Sequence, residues 1–351
     1  MTLPSRPRRA RRDAPTPGVV VSRPRWLRRV LDEAVARLAR LTLHVFFREV
    51  QVAGIERIPS GVPLVFVANH NNSVVDSVLL LALPGARPRM LAKSTLFSHP
   101  VMGPLLALVG ALPVYRRQDP GAEVSRNFET FAYCRQLLAA GGQIALFPEG
   151  RSHSEARRPP LRSGAARIVL DAGPGVRIVP VGLNYEAKDR FRSRVLVCVG
   201  HDIDPAAERV LHRDDPRVAV RALTERIAAA LEEVTPGVEW LRPNPAPPAT
   251  TRPARRLLGG RILAWPVFAL GCALNWIPYR IPGWISDGLS TNPDEPATYK
   301  LLAGLLAFPL AWAAETAIAV RFAGLGWGLA LTVLAPASGY AALRLRERGQ
   351  R

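Results

Sequence analysis

VPLVFVANHNNSVVDS, residues Val62 to Ser77, is the stretch that decides the fold. Val62 to Ala68 is an apolar run rich in β-branched residues, the pattern of a strand covered on both faces. Asn69, His70, Asn71 and Asn72 form a polar turn. Ser73 stands where a helix N-cap belongs, with Val74 to Leu83 as the helix behind it. His70 therefore falls at the carboxyl end of a strand, where α/β proteins place much of their chemistry. Asp76, in the first helical turn, is close enough to face back toward the His70 turn. The pair has two readings. In one, Asp76 completes a capping box with Ser73 and His70 is a satisfied turn residue. In the other, His70 is a general base whose tautomer and orientation Asp76 fixes.

Ser73 beside a His and an Asp invites a hydrolase reading. The chain has no G-x-S-x-G elbow, and a Ser at an N-cap has its oxygen engaged by backbone N–H groups, so Ser73 is assigned a structural cap.

The formal net charge of +19 calls for a polyanionic partner: nucleic acid, an anionic membrane surface or a phosphorylated substrate. The arginines lack aromatic interleaving or a recognition helix, which argues against nucleic acid. Cys134, Cys198 and Cys272 are far apart and have no metal-ligand spacing, so no metal site is expected and a reduced compartment is. Residues 1–24 form a basic tail of disordered composition without the apolar stretch of a secretory signal. Trp26, Val30, Ala34, Leu38, Leu41 and Val45 then recur at helical spacing. This amphipathic helix either packs on the core or lies in a lipid interface.

Two further blocks follow. Lys93 precedes a proline-broken apolar stretch, and Gly110 to Arg117 reads as a strand that ends in Arg116 and Arg117, cations suited to phosphate. Asp119 and Pro120 read as the start of a helix from about Ala122 to Ala140. Gln143 to Phe147 is a strand leading into Pro148, Glu149, Gly150 and Arg151, with Gly150 able to let backbone approach a ligand. Arg177 to Asn184 and Arg194 to Gly200 are two more strands, and a last helix opens at Asp215.

NHNNSVVD, GALPVYRR, LFPEGRSH and VPVG follow one another in the order and rough spacing of the four motifs of the bacterial-type glycerolipid acyltransferases, and the chain from Arg25 to Trp240 resembles that family. Five residues separate His70 from Asp76 where the commoner family motif has four, which places the resemblance in a branch that shows PEG-x-SH, as in Pro148 to His153. The resemblance implies an α/β fold, a mixed sheet flanked by helices. It implies His70 as the base that deprotonates an acceptor hydroxyl, with Asp76 as its partner. It also implies Arg116 as a phosphate ligand and Glu149 with Gly150 as the acceptor-binding block. Arg151, Arg158 and Arg162 are candidates for the displaced arginine of the third block, and Lys93 is a further candidate. The resemblance further implies acyl-CoA or acyl-carrier protein as co-substrate, without a cofactor, and as acceptor a phosphorylated glycerol, glycerol-3-phosphate or lysophosphatidate. The competing reading is a non-catalytic, basic membrane-binding scaffold that keeps the fold.

Beyond Trp240 the composition changes. Residues 241–256 form a Pro-rich basic linker, followed by C-terminal helices over 257–351. Leu301 to Val320 and Ala323 to Leu343 are long and apolar enough for a hairpin through a bilayer. Its ends, at Lys300 and at Arg344, Arg346 and Arg348, would share the cytoplasmic side of the cytoplasmic membrane with the catalytic domain. The proline-containing segment from Leu257 to Tyr279 is expected in or near the interface. Membrane lipids are thus expected partners.

Overall fold

The computed structural model describes residues 25–116, 118–119, 123–155, 158–235 and 255–348. The tail 1–24, Arg117, Pro120 to Ala122 and the linker up to residue 254 lie outside the described residues. The chain divides into two compact units, Met1–Trp240 and Leu241–Arg351.

The first unit is built on a seven-stranded sheet in the order β1-β7-β6-β2-β5-β3-β4. The strands are β1 (Glu49–Ala53), β2 (Leu64–Ala68), β3 (Arg89–Lys93), β4 (Leu112–Val114), β5 (Gln143–Leu146), β6 (Arg177–Tyr185) and β7 (Arg194–Val199). Every pairing is parallel except β6 with β7. β2 lies at the centre and is fully buried along its length, which is why its sequence is apolar at successive positions rather than at alternate ones. Val65 and Val67 face a core shared with Cys134, Leu138, Ile168, Leu223 and Ile227. Those residues come from α4 (Asn127–Ala139), α5 (Gly164–Asp171) and α7 (Pro216–Glu233). By the two-residue alternation of a strand, Leu64, Phe66 and Ala68 face the opposite layer, where α1 (Arg25–Phe46) packs on α2 (Ser73–Ala82). The sheet is mixed and flanked by helices, as expected. α3 (Met102–Leu108) and α6 (Ala206–Asp214) complete the unit.

α1 packs on the core through only one of its faces. Ala36, Ala39, Leu43 and Phe46 are buried, while Trp26, Val30, Leu38 and Leu41 stay exposed. α4 begins at Asn127 rather than near Ala122. Asp119 does not cap it, because its carboxylate is taken by cations described below.

In the second unit, α8 (Arg255–Leu289), α9 (Pro296–Ala323) and α10 (Leu325–Arg348) pack on one another. α9 and α10 are long and apolar enough to cross a membrane and turn at Gly324, which takes a φ of 90° that a side chain would strain. The prolines 266, 278 and 282 sit inside α8 without breaking it. Asn275 of α8 is buried against both partners. Its amide donates to the carbonyls of Gly271 and Ala335 at 3.0 Å each, and its oxygen accepts the Trp312 indole N–H at 2.9 Å. Ser286, Thr298 and Ser338 are also buried, whereas Trp265, Trp276, Leu310, Phe322 and Trp327 face outward. Polar groups inside and large apolar groups outside invert the pattern of the first unit.

Candidate active site

Parallel strands carry successive motifs to one edge, because every β2, β3, β4, β5 and β6 chain leaves the sheet at the same side. Lys93 ends β3, Arg116 follows β4, His70 follows β2, Glu149 follows β5 and Tyr185 ends β6. Motifs far apart in sequence are gathered by topology alone.

Asn69 continues the sheet after β2 turns away. Its side-chain amide donates to the Leu183 carbonyl at 3.0 Å and its oxygen accepts the Leu183 N–H at 2.7 Å, so a side chain replaces a strand's backbone pairing. The turn that follows is strained at Ser73, which has a φ of 46°. Asn72, not Ser73, occupies the N-cap, without a side-chain cap bond. Ser73 is the first helical residue, and its N–H donates to Ser152 Oγ at 3.0 Å. The helix begins one residue earlier than the expected Val74 because Asp76 takes the capping role from inside: its Oδ2 accepts the N–H groups of Asn71 at 2.9 Å and Asn72 at 2.7 Å.

The same Oδ2 stands 2.9 Å from His70 Nδ1. Asp76 is fully buried and its carboxylate only accepts, so Nδ1 carries the proton and the Nε2 lone pair is left for another partner. The other oxygen, Oδ1, accepts the Tyr185 hydroxyl. The His70 ring lies parallel to that of Phe147, with centroids 3.9 Å apart, which fixes its plane and offers a π face to an imidazolium. Its side chain remains 17% exposed, enough for a reactant to reach it. A capping role and a dyad therefore coexist in Asp76.

Glu149 is turned inward. Its side chain is 1% exposed, and its Oε2 accepts the backbone N–H of His70 at 2.9 Å and the Nε2–H of His153 at 2.9 Å. Oε1 lies 3.5 Å from Arg158 Nε. Arg158 in turn donates to the carbonyls of Ala228 and Leu231 and to Thr235, which closes the end of α7. Burial lowers the pKa of Arg158, against the pull of Glu149 and Glu232.

Arg116 donates to both oxygens of Asp119 at 3.0 Å and to the Gly150 carbonyl at 2.9 Å, and Lys93 pairs with Asp119 at 3.3 Å. Burial raises the pKa of Asp119, but the hydrogen bonds and charges of Arg116 and Lys93 outweigh it and hold the carboxyl below its ordinary value. Two cations share one carboxylate beside the Gly150 turn, leaving positive charge for an anion. Of the arginines named for the third block, Arg151 is half exposed and pairs with Glu155, and Arg158 is turned inward onto Glu149 and the end of α7. Arg162 is the exposed one whose stem lies over Gly150, and its guanidinium makes no hydrogen bond or ion pair among the described residues.

Sequence reasoning missed Tyr185 and Lys188. The expected strand ended one residue short of Tyr185. Lys188 lies in the loop behind it, where its Nζ donates to the Asn71 carbonyl at 2.7 Å and to Ser154.

Residues 49–184 match the family model for Acyltransferase, and this segment holds His70, Asp76, Lys93, Arg116, Glu149 and Gly150. The chain is similar to 1-acyl-sn-glycerol-3-phosphate acyltransferase BAT2, chloroplastic, of Brassica napus, at 29% identity over 195 residues, covering 55% of this chain and 50% of the relative. It is also similar to glycerol-3-phosphate O-acyltransferase 1 of Saccharomyces cerevisiae, at 25% identity over 308 residues, covering 62% and 41%. The crystal structure of the 1-acyl-sn-glycerophosphate acyltransferase PlsC from Thermotoga maritima matches with a TM-score of 0.42 at 22% identity, covering 60% of this chain and 88% of that one. The chain spans half or less of the length of these two curated relatives. The matched segment thus contains the whole strand-edge cluster apart from Tyr185, which follows its last matched residue.

Proposed function

We propose that the protein moves a fatty acyl group from a thioester donor, acyl-CoA or acyl-carrier protein, to a hydroxyl of a phosphorylated glycerol. Glycerol-3-phosphate is the favoured acceptor and lysophosphatidate the second. The reading rests above all on His70, held through Nδ1 by a buried carboxylate with Nε2 left to act, inside the segment that matches the Acyltransferase family model. The acceptor hydroxyl gives its proton to Nε2 as its oxygen attacks the thioester carbonyl carbon. The new C–O bond forms, the C–S bond breaks, and the proton passes from the imidazolium to the leaving thiolate. Asp76 stabilises the imidazolium while it exists. Arg116, Lys93 and Arg162 are the cations that would hold the acceptor phosphate, the arginines through their planar forks.

The work is done at a membrane surface. The outward apolar side chains of α8 to α10 suit lipid, where a buried Asn between helices is a stabilising link rather than a liability. We place the catalytic unit on the cytoplasmic face of the cytoplasmic membrane, following the arginines at the end of α10. The test is transfer from labelled acyl-CoA, and separately from acyl-carrier protein, to glycerol-3-phosphate or to lysophosphatidate by detergent-solubilised protein, with His70→Ala as control. Product from one acceptor that disappears in the variant supports the reading. Folded protein that transfers to neither, from either donor, overturns it.

A further inference from the structure

We propose that Tyr185 is a positioning residue of this reaction, whose hydroxyl on Oδ1 of Asp76 sets the carboxylate plane so that Oδ2 faces the His70 ring. The inference rests on His70 being the general base. An Asp carboxylate turns about a terminal torsion with a broad, roughly two-fold preference, so its rotamer alone does not aim it. Partners must do so, and the two oxygens of Asp76 are loaded differently. Oδ2 takes three donors, from His70, Asn71 and Asn72, whereas Oδ1 takes the phenol of Tyr185. Asp76 is 0% exposed, and among the described residues His70 is its sole ion-pair partner. Without Tyr185 the Oδ1 lone pairs would be buried without a donor, and the carboxylate would be free to tilt away from the imidazole.

The phenol is suited to that task. Tyr185 is the last residue of β6, two strand positions past the Leu183 backbone that Asn69 grips, so the sheet fixes both ends of the bridge. Its ring packs against Phe47 with centroids 6.0 Å apart. Burial first, and the neighbouring Asp76 charge second, push the phenol pKa well above its ordinary value, so it stays a donor across the working pH range. The link joins residues 109 positions apart, the span from the first motif to just past the fourth.

The test compares full-length wild-type protein with Tyr185→Phe in the acyl-transfer assay across pH 5.5 to 9, together with Asp76→Asn and the double variant. Phe keeps the ring and removes one oxygen. The expected kcat is about 10- to 100-fold lower, with KM for donor and acceptor within about twofold. The acid limb of the kcat profile should move to lower pH, because a carboxylate tilted off Nδ1 stabilises the imidazolium less. In the Asp76→Asn background the Phe change should add less than about threefold, since both act through one carboxylate. A full additional loss in that background overturns the proposal. So does a pH-independent loss that tracks a fall of more than about 10 °C in thermal midpoint, which marks a structural role. Activity in His70→Ala would instead sink the general-base reading itself. An inactive His70→Ala beside a wild-type Tyr185→Phe would remove this inference alone.

Discussion

Replacing Glu149 by Ala separates two roles for the acid of the third block, an acceptor ligand or an internal clamp. The structure favours the clamp. The substitution leaves the His70 N–H and His153 Nε2 without their acceptor, and leaves the largely buried Arg158 with only the more distant pull of Glu232. Removing one partner of a buried ion pair costs about 3–5 kcal/mol, most of it from the stranded charge. In a unit of this size each kcal/mol lowers the midpoint by about 2–4 °C, so Glu149→Ala should melt roughly 6–20 °C below wild type. Glu149→Gln keeps the volume and one acceptor oxygen, and should fall between. Because the lost bond is to the backbone of His70, kcat should fall with stability while KM for the acceptor changes little. Scanning fluorimetry in detergent gives the midpoint, and steady-state transfer gives kcat and KM. A shift under about 2 °C accompanied by a KM raised tenfold or more would refute the reasoning and return Glu149 to the acceptor.

Arg162→Ala should do the opposite. Its guanidinium makes no bond among the described residues, so the midpoint should hold within about 1 °C while KM for the phosphorylated acceptor rises about 10- to 100-fold, measured against glycerol-3-phosphate. Asp119 makes a pH prediction. Its folded pKa lies below the ordinary 3.8, so its ionised form adds stability above that value and loses it as pH falls through the folded one. The midpoint difference between wild type and Asp119→Asn should therefore be flat from about pH 7 to 5 and shrink below about pH 4. A difference that stays constant down to pH 3 would contradict the assignment.

What the sequence made legible was whatever local pattern encodes. The seven-residue run ending at Ala68 could only be a covered strand, and the six-residue step from His70 to Asp76 spans one turn into a helix. The apolar lengths of α9 and α10 were equally plain. What stayed hidden depends on partners far away in the chain. Glu149 reads as a hydrated loop acid until Arg158 and His153 fold over it. Asp119 followed by Pro120 has the composition of a helix start, yet the competing pull of Arg116 and Lys93 claims its carboxylate. The prolines of α8 predict breaks in water, but helices packed alongside can accommodate the missing hydrogen bonds.

The site holds two histidine–carboxylate pairs, and comparing them shows how the fold assigns different work to the same chemistry. His70 with Asp76 and His153 with Glu149 have the same 2.9 Å nitrogen–oxygen separation. His153 spends both ring nitrogens inside the protein, donating to Glu149 and accepting the Glu155 N–H at 3.2 Å, so it has no lone pair to lend. It also donates its backbone N–H to the His70 carbonyl at 3.1 Å, while Glu149 takes the His70 N–H. The second pair therefore holds the backbone of the first from both sides. His70, gripped at its N–H, its carbonyl and Nδ1, has one polar atom left over, Nε2. A base fixed at every other point loses little orientational freedom when it accepts a proton, and that preorganisation is what a general base must supply.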